Sequence, residues 1–252
     1  MPARHPVTVV IPTLNETAQI AECVRHVSWA EQVIVADGGS RDGTPDAARA
    51  AGATVITGAF TSIAAQRNAA IAAARHPWIF ALDADERVPT ALADEIGATV
   101  TAARFDAYRV RRRNVYLGRE IRRAGWGSDW VFRLFRRERR FVERRVHEAL
   151  ERVAEFGSLT ATLDHVPYRD LGHHLRKVDH YAELAAMDLH ERGRRAGMSD
   201  LLVRPPVRFL RMYLAQGGVV EGWRGAVLCG FAAWGVFLKY ARLWERERRS
   251  DV

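Results

Sequence analysis

The chain has little of what several large protein classes require. Its 252 residues include two cysteines, Cys23 and Cys229, far apart and without a Cys-x-x-Cys pair. That excludes a disulfide framework or a zinc ribbon and suits a reducing compartment. The opening MPARHPVTVVIPT passes straight into a strand-like run. It lacks the basic, apolar and small-residue succession of a secretory signal, so a cytoplasmic protein is expected. No Gly-x-Gly-x-x-Gly follows the first apolar run, and Gly-x4-Gly-Lys-Ser/Thr is missing. The dinucleotide fingerprint and the P-loop enzymes are thereby set aside. The uncharged apolar stretch from Ala226 to Leu238 falls short of the roughly 20 residues a spanning helix needs. Acidic residues are outnumbered 30 to 38, and the formal charge of +8 asks for an anionic partner: nucleic acid, a phosphorylated substrate or a membrane surface.

What is present is a rhythm. Short β-branched runs at Val7–Pro12, Gln32–Ala36, Ala53–Ile56 and Trp78–Leu82 alternate with helical segments, the first marked by Ile20, Val24 and Val27. This predicts an α/β fold with a mostly parallel sheet flanked by helices. Right-handed crossovers then bring the strand C-termini to one edge, where ligands of open α/β sheets bind. Asp37 follows the second strand, within DGGSRDGT, which taken alone reads equally well as a turn. Asp83, Asp85 and Glu86 follow the fourth. Carboxylates this crowded need positive charge nearby: an arginine, a metal ion, or else water. An acid after the second strand can accept hydrogen bonds from a base or ribose. A pair of aspartates can hold Mg2+ or Mn2+ together with substrate phosphates.

These residues carry a resemblance. VTVVIPTLNE (Val7–Glu16), VIVADGGSRDGT (Val33–Thr44), QRNAAI (Gln66–Ile71) and LDADE (Leu82–Glu86) resemble, in order and spacing, the family 2 glycosyltransferases of the GT-A fold. RLFRR, RRVHEAL, DHVPYRDLGHHLRKVDHY and FLKYARL look like the bacterial subgroup that adds sugars to the lipopolysaccharide inner core. The resemblance implies an inverting, metal-dependent transfer of a hexose, glucose by expectation, from a UDP-sugar to an anionic lipid-linked saccharide. Another envelope polysaccharide or glycolipid is the alternative acceptor. It implies that Pro12, Asn15 and Glu16 line the nucleotide end and that Asp37 contacts base or ribose. Ser40 and Asp42 would shape that loop, and Arg67 and Asn68 would face the nucleotide; without the family, a solvated helix face is the reading of these two. Asp83 would lie near the ribose or sugar, and Asp85 would bind the Mg2+ or Mn2+ that bridges the diphosphate. For the general base it points to His147 and Glu148, with Asp129 next. The ion carrying the diphosphate is then the expected positive partner of the crowded carboxylates.

Arginines crowd the span from Arg104 to Arg145. AYRVRRRNVY partly alternates, as a half-exposed strand does. Phosphorylated sugars or lipid headgroups suit these arginines. Nucleic acid would too, but no nucleic-acid motif accompanies them, and none is expected as a partner. Gly125, Trp126 and Gly127 suggest a mobile flap. Residues 1–168 are expected to form the GT-A domain. Residues 169–252 are expected to form a helical region, with Leu171, Leu175, Val178, Tyr181 and Leu184 on one helix face and His173, His174 and His180 toward solvent or ligand. Pro205 and Pro206 mark a helix start. Trp223, Trp234, Tyr240 and Trp244 beside basic residues read as a membrane-interface pair of helices, packing against a subunit being the alternative. Peripheral attachment to the inner face of the cytoplasmic membrane is expected; the oligomeric state is left open. A nucleotidyltransferase would share the aspartates, but the loop PTLNETAQI lacks the glycine and basic residues it uses.

Overall fold

The computed structural model describes residues 4–142 and 149–250. The chain divides into two compact units, residues 1–113 with 129–165, and residues 114–128 with 166–252.

The first unit opens with the expected alternation: β1 (His5–Thr13), α1 (Thr17–Arg25), β2 (Ala30–Asp37), α2 (Thr44–Ala50), β3 (Thr54–Thr57), α3 (Ile63–Ala72) and β4 (Trp78–Ala81). The sequence continues with β5 (Glu86–Arg87), α4 (Thr90–Ala102), β6 (Ala107–Tyr116), β7 (Arg119–Glu120), β8 (Trp130–Arg136), β9 (Phe141–Val142), β10 (Ala149–Leu150) and β11 (Gly157–His165). The sheet order is β3-β2-β1-β4-β8-β6-β11-β5. The first four strands are parallel; β8 joins β4 antiparallel, and β6 joins β8 likewise. The alternating arginine strand is therefore real.

Period-two burial explains why these runs are strands. Val7, Val9 and Ile11 of β1 point into one apolar layer with Val35, Phe80 and Leu82, covered by Ile20, Leu92 and Ile96. Val10, Ile34, Ile79 and Ala81 point into the other layer, under Ala64, Ala70 and Ile71 of α3. Each fully buried aliphatic side chain contributes roughly 1.5–3 kcal/mol, which locks the register, since a one-residue slip would exchange the two faces.

The second unit is helical: α5 (Leu171–Glu191), α6 (Met198–Leu202), α7 (Arg204–Leu210), a π-turn (Arg211–Ala215), a 3-10 turn (Gly218–Glu221) and α8 (Gly222–Ser250). Asp170 caps α5 by accepting from the His173 amide, and Pro205 and Pro206 occupy the first turn of α7, as expected. Leu171, Leu175, Tyr181 and Leu184 share an exposed side of α5, while the helix buries His174, Ala182 and Ala186; small alanines let α5 approach α8 closely. One expectation is corrected here. His174 faces no solvent: Tyr116 Oη lies 2.8 Å from its Nδ1, and the Tyr168 ring stacks on it at 3.7 Å. Burial first, then His173 and Lys177, pushes its pKa down to about 4. The glycine stretch around Trp126 is a packed loop. Asn114 Nδ2 donates to Trp126 O at 3.2 Å, the Ala124 amide donates to Gln216 O at 2.8 Å, and Trp126 meets the Tyr116 ring edge-on.

The apolar run judged too short to span lies inside the 29-residue α8, which by length and composition alone is long and apolar enough to cross a membrane.

Candidate active site

β1 and β2 stop together, with half-buried Pro12 opposite Ala36 and Thr13 opposite Asp37. The loops beyond them are sewn to each other. The Asn15 amide donates to Ser40 Oγ at 2.8 Å, and Asn15 Oδ1 accepts from the Arg41 amide at 3.0 Å. The Glu16 amide donates to Thr44 Oγ1 at 2.8 Å, and the Thr17 amide to Asp42 Oδ2 at 3.1 Å. Asn15 holds φ at +56°, a conformation Asn tolerates better than most residues. Burial raises the Asp42 carboxyl, but hydrogen bonds from Thr44 and the Thr17 amide outweigh it and hold it below its ordinary value.

Asp37 organises this edge. Its Oδ2 accepts from the amides of Gly39 and Ser40 at 3.0 and 2.9 Å, and its Oδ1 from Ser40 Oγ at 2.5 Å and Thr13 Oγ1 at 3.3 Å. These four bonds use about the full capacity of a carboxylate, and the residue is 1 % exposed. Beneath it, Gln66 Nε2 donates to Thr13 O at 3.0 Å and Ala36 O at 3.3 Å, closing the gap where β1 and β2 separate. A Cβ at Gly38 would sit 2.8 Å from that nitrogen, so a side chain there would push the Gln66 amide off these carbonyls. Gln66 was not singled out from the sequence. Its signal was its place beside Arg67 at the opening of a strand-facing helix.

The acidic loop after β4 is built on arginine. Asp83 Oδ1 accepts from Arg67 Nη2, and its Oδ2 from Arg133 Nη2 at 2.5 Å. The same Arg133 nitrogen reaches Glu86 Oε1 at 2.6 Å, and Arg112 Nη1 lies 3.5 Å from that oxygen. Glu86 also grips the loop, accepting from the Asp83 amide at 3.0 Å while its own amide donates to Asp83 O. Cys23 Sγ approaches the Asp83 and Glu86 carbonyls from α1 at 3.7 and 3.8 Å, and burial pushes that thiol up to about 12. Burial opposes ionisation of Asp83, but Arg133 and Arg67 hold its carboxyl well below the carboxylate range. Burial and neighbouring Asp83 push Glu86 up despite Arg133. The positive partners of Asp83 and Glu86 are thus arginines, which corrects the expectation of a metal ion there. Buried Glu86 and half-buried Asp83 face the buried guanidiniums of Arg67 and Arg133, with Arg112 at the edge.

Asp85 is placed differently. Pairing of β5 with β11 sets His165 opposite Glu86 and brings His165 Nε2 to 3.7 Å from Asp85 Oδ1. Among the described residues no three His, Cys, Asp or Glu side chains converge on a metal position. Mg2+ and Mn2+ that complete their shell with substrate phosphates and water need only one or two carboxylates. Asp85 fits that role.

The remaining candidates are distributed as follows. Arg67 is buried against Asp83, not a solvated face. Asn68 clamps the backbone of Phe141 with two bonds of 2.9 Å. Asp129 is bound bidentate by Arg112 at 2.8 and 3.0 Å. His147 and Glu148 lie outside the described residues. Arg112, Arg133 and His165 were missed as site residues, because arginines in so basic a stretch read as solvated.

A parallel half-sheet with acids at its C-terminal edge, an antiparallel extension and flanking helices is a GT-A-like fold. The chain belongs to glycosyl transferase family 2, whose pattern matches residues 8–151. It is 27% identical over 257 residues to the lipopolysaccharide core biosynthesis glycosyltransferase LpsC of Rhizobium meliloti (strain 1021), covering 96% of this chain and 93% of that one. The crystal structure of S. aureus TarS 1-349 superposes with a TM-score of 0.51 at 14% identity, covering 97% and 91%, a likeness of fold alone. Glucosyl-3-phosphoglycerate synthase from Mycobacterium tuberculosis, solved with Mn2+ and UDP-glucose, aligns over 44% of each chain at a TM-score of 0.38 and 24% identity.

Proposed function

We propose that this glycosyltransferase moves a hexose, glucose by preference, from a UDP-sugar to an anionic lipid-linked saccharide of the lipopolysaccharide inner-core kind, with inversion. The observation that carries the donor reading is one sheet edge where the Asp37 loop and the acidic loop emerge on either side of β1 and are reached by the neighbouring α3 residues Gln66 and Arg67. The full-length likeness to a lipopolysaccharide core enzyme supports the acceptor. We assign residues 1–168 to donor binding and catalysis and residues 169–252 to a helical part at the inner face of the cytoplasmic membrane.

Pro12, Asn15, Glu16, Ser40 and Asp42 form the nucleotide end. Asp37 holds that loop in the shape that receives base or ribose. Arg67 and Arg133 keep Asp83 ionised toward the ribose or sugar, and Asn68 steadies the strand that leads to residues 143–148. Asp85 takes Mg2+ or Mn2+, which when bound neutralises charge on the departing diphosphate. A base removes the acceptor hydroxyl proton, worth about 10²–10⁴-fold. We place that role on His147 or Glu148, since both oxygens of Asp129 are engaged by Arg112.

The test is incubation with a panel of nucleotide sugars and a deacylated core acceptor, with and without Mn2+. UDP release coupled to acceptor elongation, only with metal, supports the proposal; no release from any UDP-sugar overturns it.

A further inference from the structure

The second unit carries an apolar face unlike a protein core. From Leu201 to Val220 there is no acidic residue. Along α7 and the π-turn, Val203, Val207, Leu210 and Leu214 recur at helical spacing and are all exposed, Leu210 by 51% and Leu214 by 59%. The following turn adds Val220 at 69%, and the start of α8 adds Trp223 at 57%. One residue over runs a basic line, Arg204, Arg208 and Arg211. Arg204 pairs with Asp200, whereas Arg208 and Arg211 are exposed and meet no carboxylate among the described residues. The opposite side is anchored: Met212 is buried with Leu228 and Cys229, and the Glu221 carboxylate accepts from the Arg122 and Arg123 amides, both at 2.9 Å.

We propose that this face, the stripe of Val203, Val207, Leu210 and Leu214 with Val220 and Trp223, is the surface that docks on an anionic phospholipid bilayer. The inference rests on the peripheral-membrane reading above and sharpens it, moving the contact from α8 to α7 and the turns after it. Charge decides the occupant. A second copy placed here about a two-fold axis would bring Arg208 and Arg211 against their own counterparts, while acidic headgroups would neutralise both. An exposed apolar stripe edged by arginine, with a tryptophan at its end, is what an interface-bound helix presents to lipid. Each arginine near an anionic surface contributes about fivefold in affinity at low salt.

The test is sedimentation of the full-length protein with phosphatidylcholine vesicles, with and without phosphatidylglycerol. The expected result is binding to the anionic vesicles that weakens with salt. Leu210→Glu/Leu214→Glu should reduce it by tenfold or more, and the milder Leu210→Gln/Leu214→Gln by less. Arg208→Gln/Arg211→Gln should reduce it only at low salt. Leu184→Glu, on α5, should leave binding unchanged. Circular dichroism matching the wild type guards against unfolding. If the wild type binds and both leucine pairs bind equally well, the face is wrong and the membrane reading stands. If the wild type binds no vesicle, both fall. If the wild type is a dimer that the leucine variants split, the face joins two copies and the proposal is overturned.

Discussion

The two units of this chain distribute buried charge and exposed apolar surface differently. The first buries its aliphatic side chains in two layers and then buries charge as well, with Arg67, Asp83, Arg133 and Glu86 locked together at the sheet edge. The second buries a smaller core that includes Met212, Leu228 and Leu243 and leaves Val207, Leu210, Leu214 and Trp223 in the open. Burying ion pairs adds little net stability over apolar side chains of the same shape. A cluster of this kind therefore speaks for fixed geometry at a working site. Exposed apolar stripes add nothing to the stability of an isolated unit, so they speak for a surface still to be covered.

The largest effect should come from breaking the buried cluster. Arg133→Met leaves Asp83 and Glu86 facing each other with Arg67 as the chief compensation. Losing one partner of a buried pair costs about 3–5 kcal/mol, so urea unfolding should shift strongly. An Arg133→Lys protein should recover part of the loss, because lysine restores the charge but not both contacts. A melt unchanged by Arg133→Met would show that the cluster is not buried as described.

Asp85→Ala should act on chemistry more than on the fold, since the buried contacts of the acidic loop run through Asp83 and Glu86. Positions that merely support a metal ligand cost about 10–100-fold; transfer at limiting metal should fall by at least that much, with the melting temperature little changed.

Acid should separate the units. A buried neutral histidine has a folded pKa below its unfolded value, here about 4 against an ordinary value near 6.5. The unfolded chain takes up a proton that folded His174 refuses, so this contribution is intact above about pH 6.5 and shrinks as pH falls toward 4. Asp83 is also depressed, but from an ordinary value near 4, so its contribution is complete above that pH and is lost only in stronger acid. The second unit should loosen first. Unfolding monitored at pH 7 and pH 5 should show a loss in the wild type that His174→Gln largely removes; equal losses in both would contradict the assignment.

The smallest effect concerns the thiols. Burial raises Cys23 to about 12 and raises Cys229 as well. Neither should react with a disulfide reagent in the native protein at neutral pH, and both should react once it is unfolded.

Much of the first unit was legible in the sequence for a physical reason. Strands buried on both faces leave uninterrupted apolar runs, and acids at their ends stand out against them. The arginine partners were hidden, because Arg112 and Arg133 sit in a stretch so basic that no single residue departs from its surroundings. His165 comes beside Asp85 only through the pairing of β5 with β11, which no local pattern reveals. Period alone put the α5 stripe on one face but does not say which side of a helix its neighbours cover; here alanines and a histidine are the residues buried.

Asp85 is the residue we propose to join metal to nucleotide. Calorimetry of UDP binding to the wild type and to Asp85→Ala, each with and without Mn2+, tests it most directly. Tight binding that requires Mn2+ in the wild type, and disappears in Asp85→Ala, is the predicted result. UDP binding that is equal with and without metal, or equal in the two proteins, would contradict it.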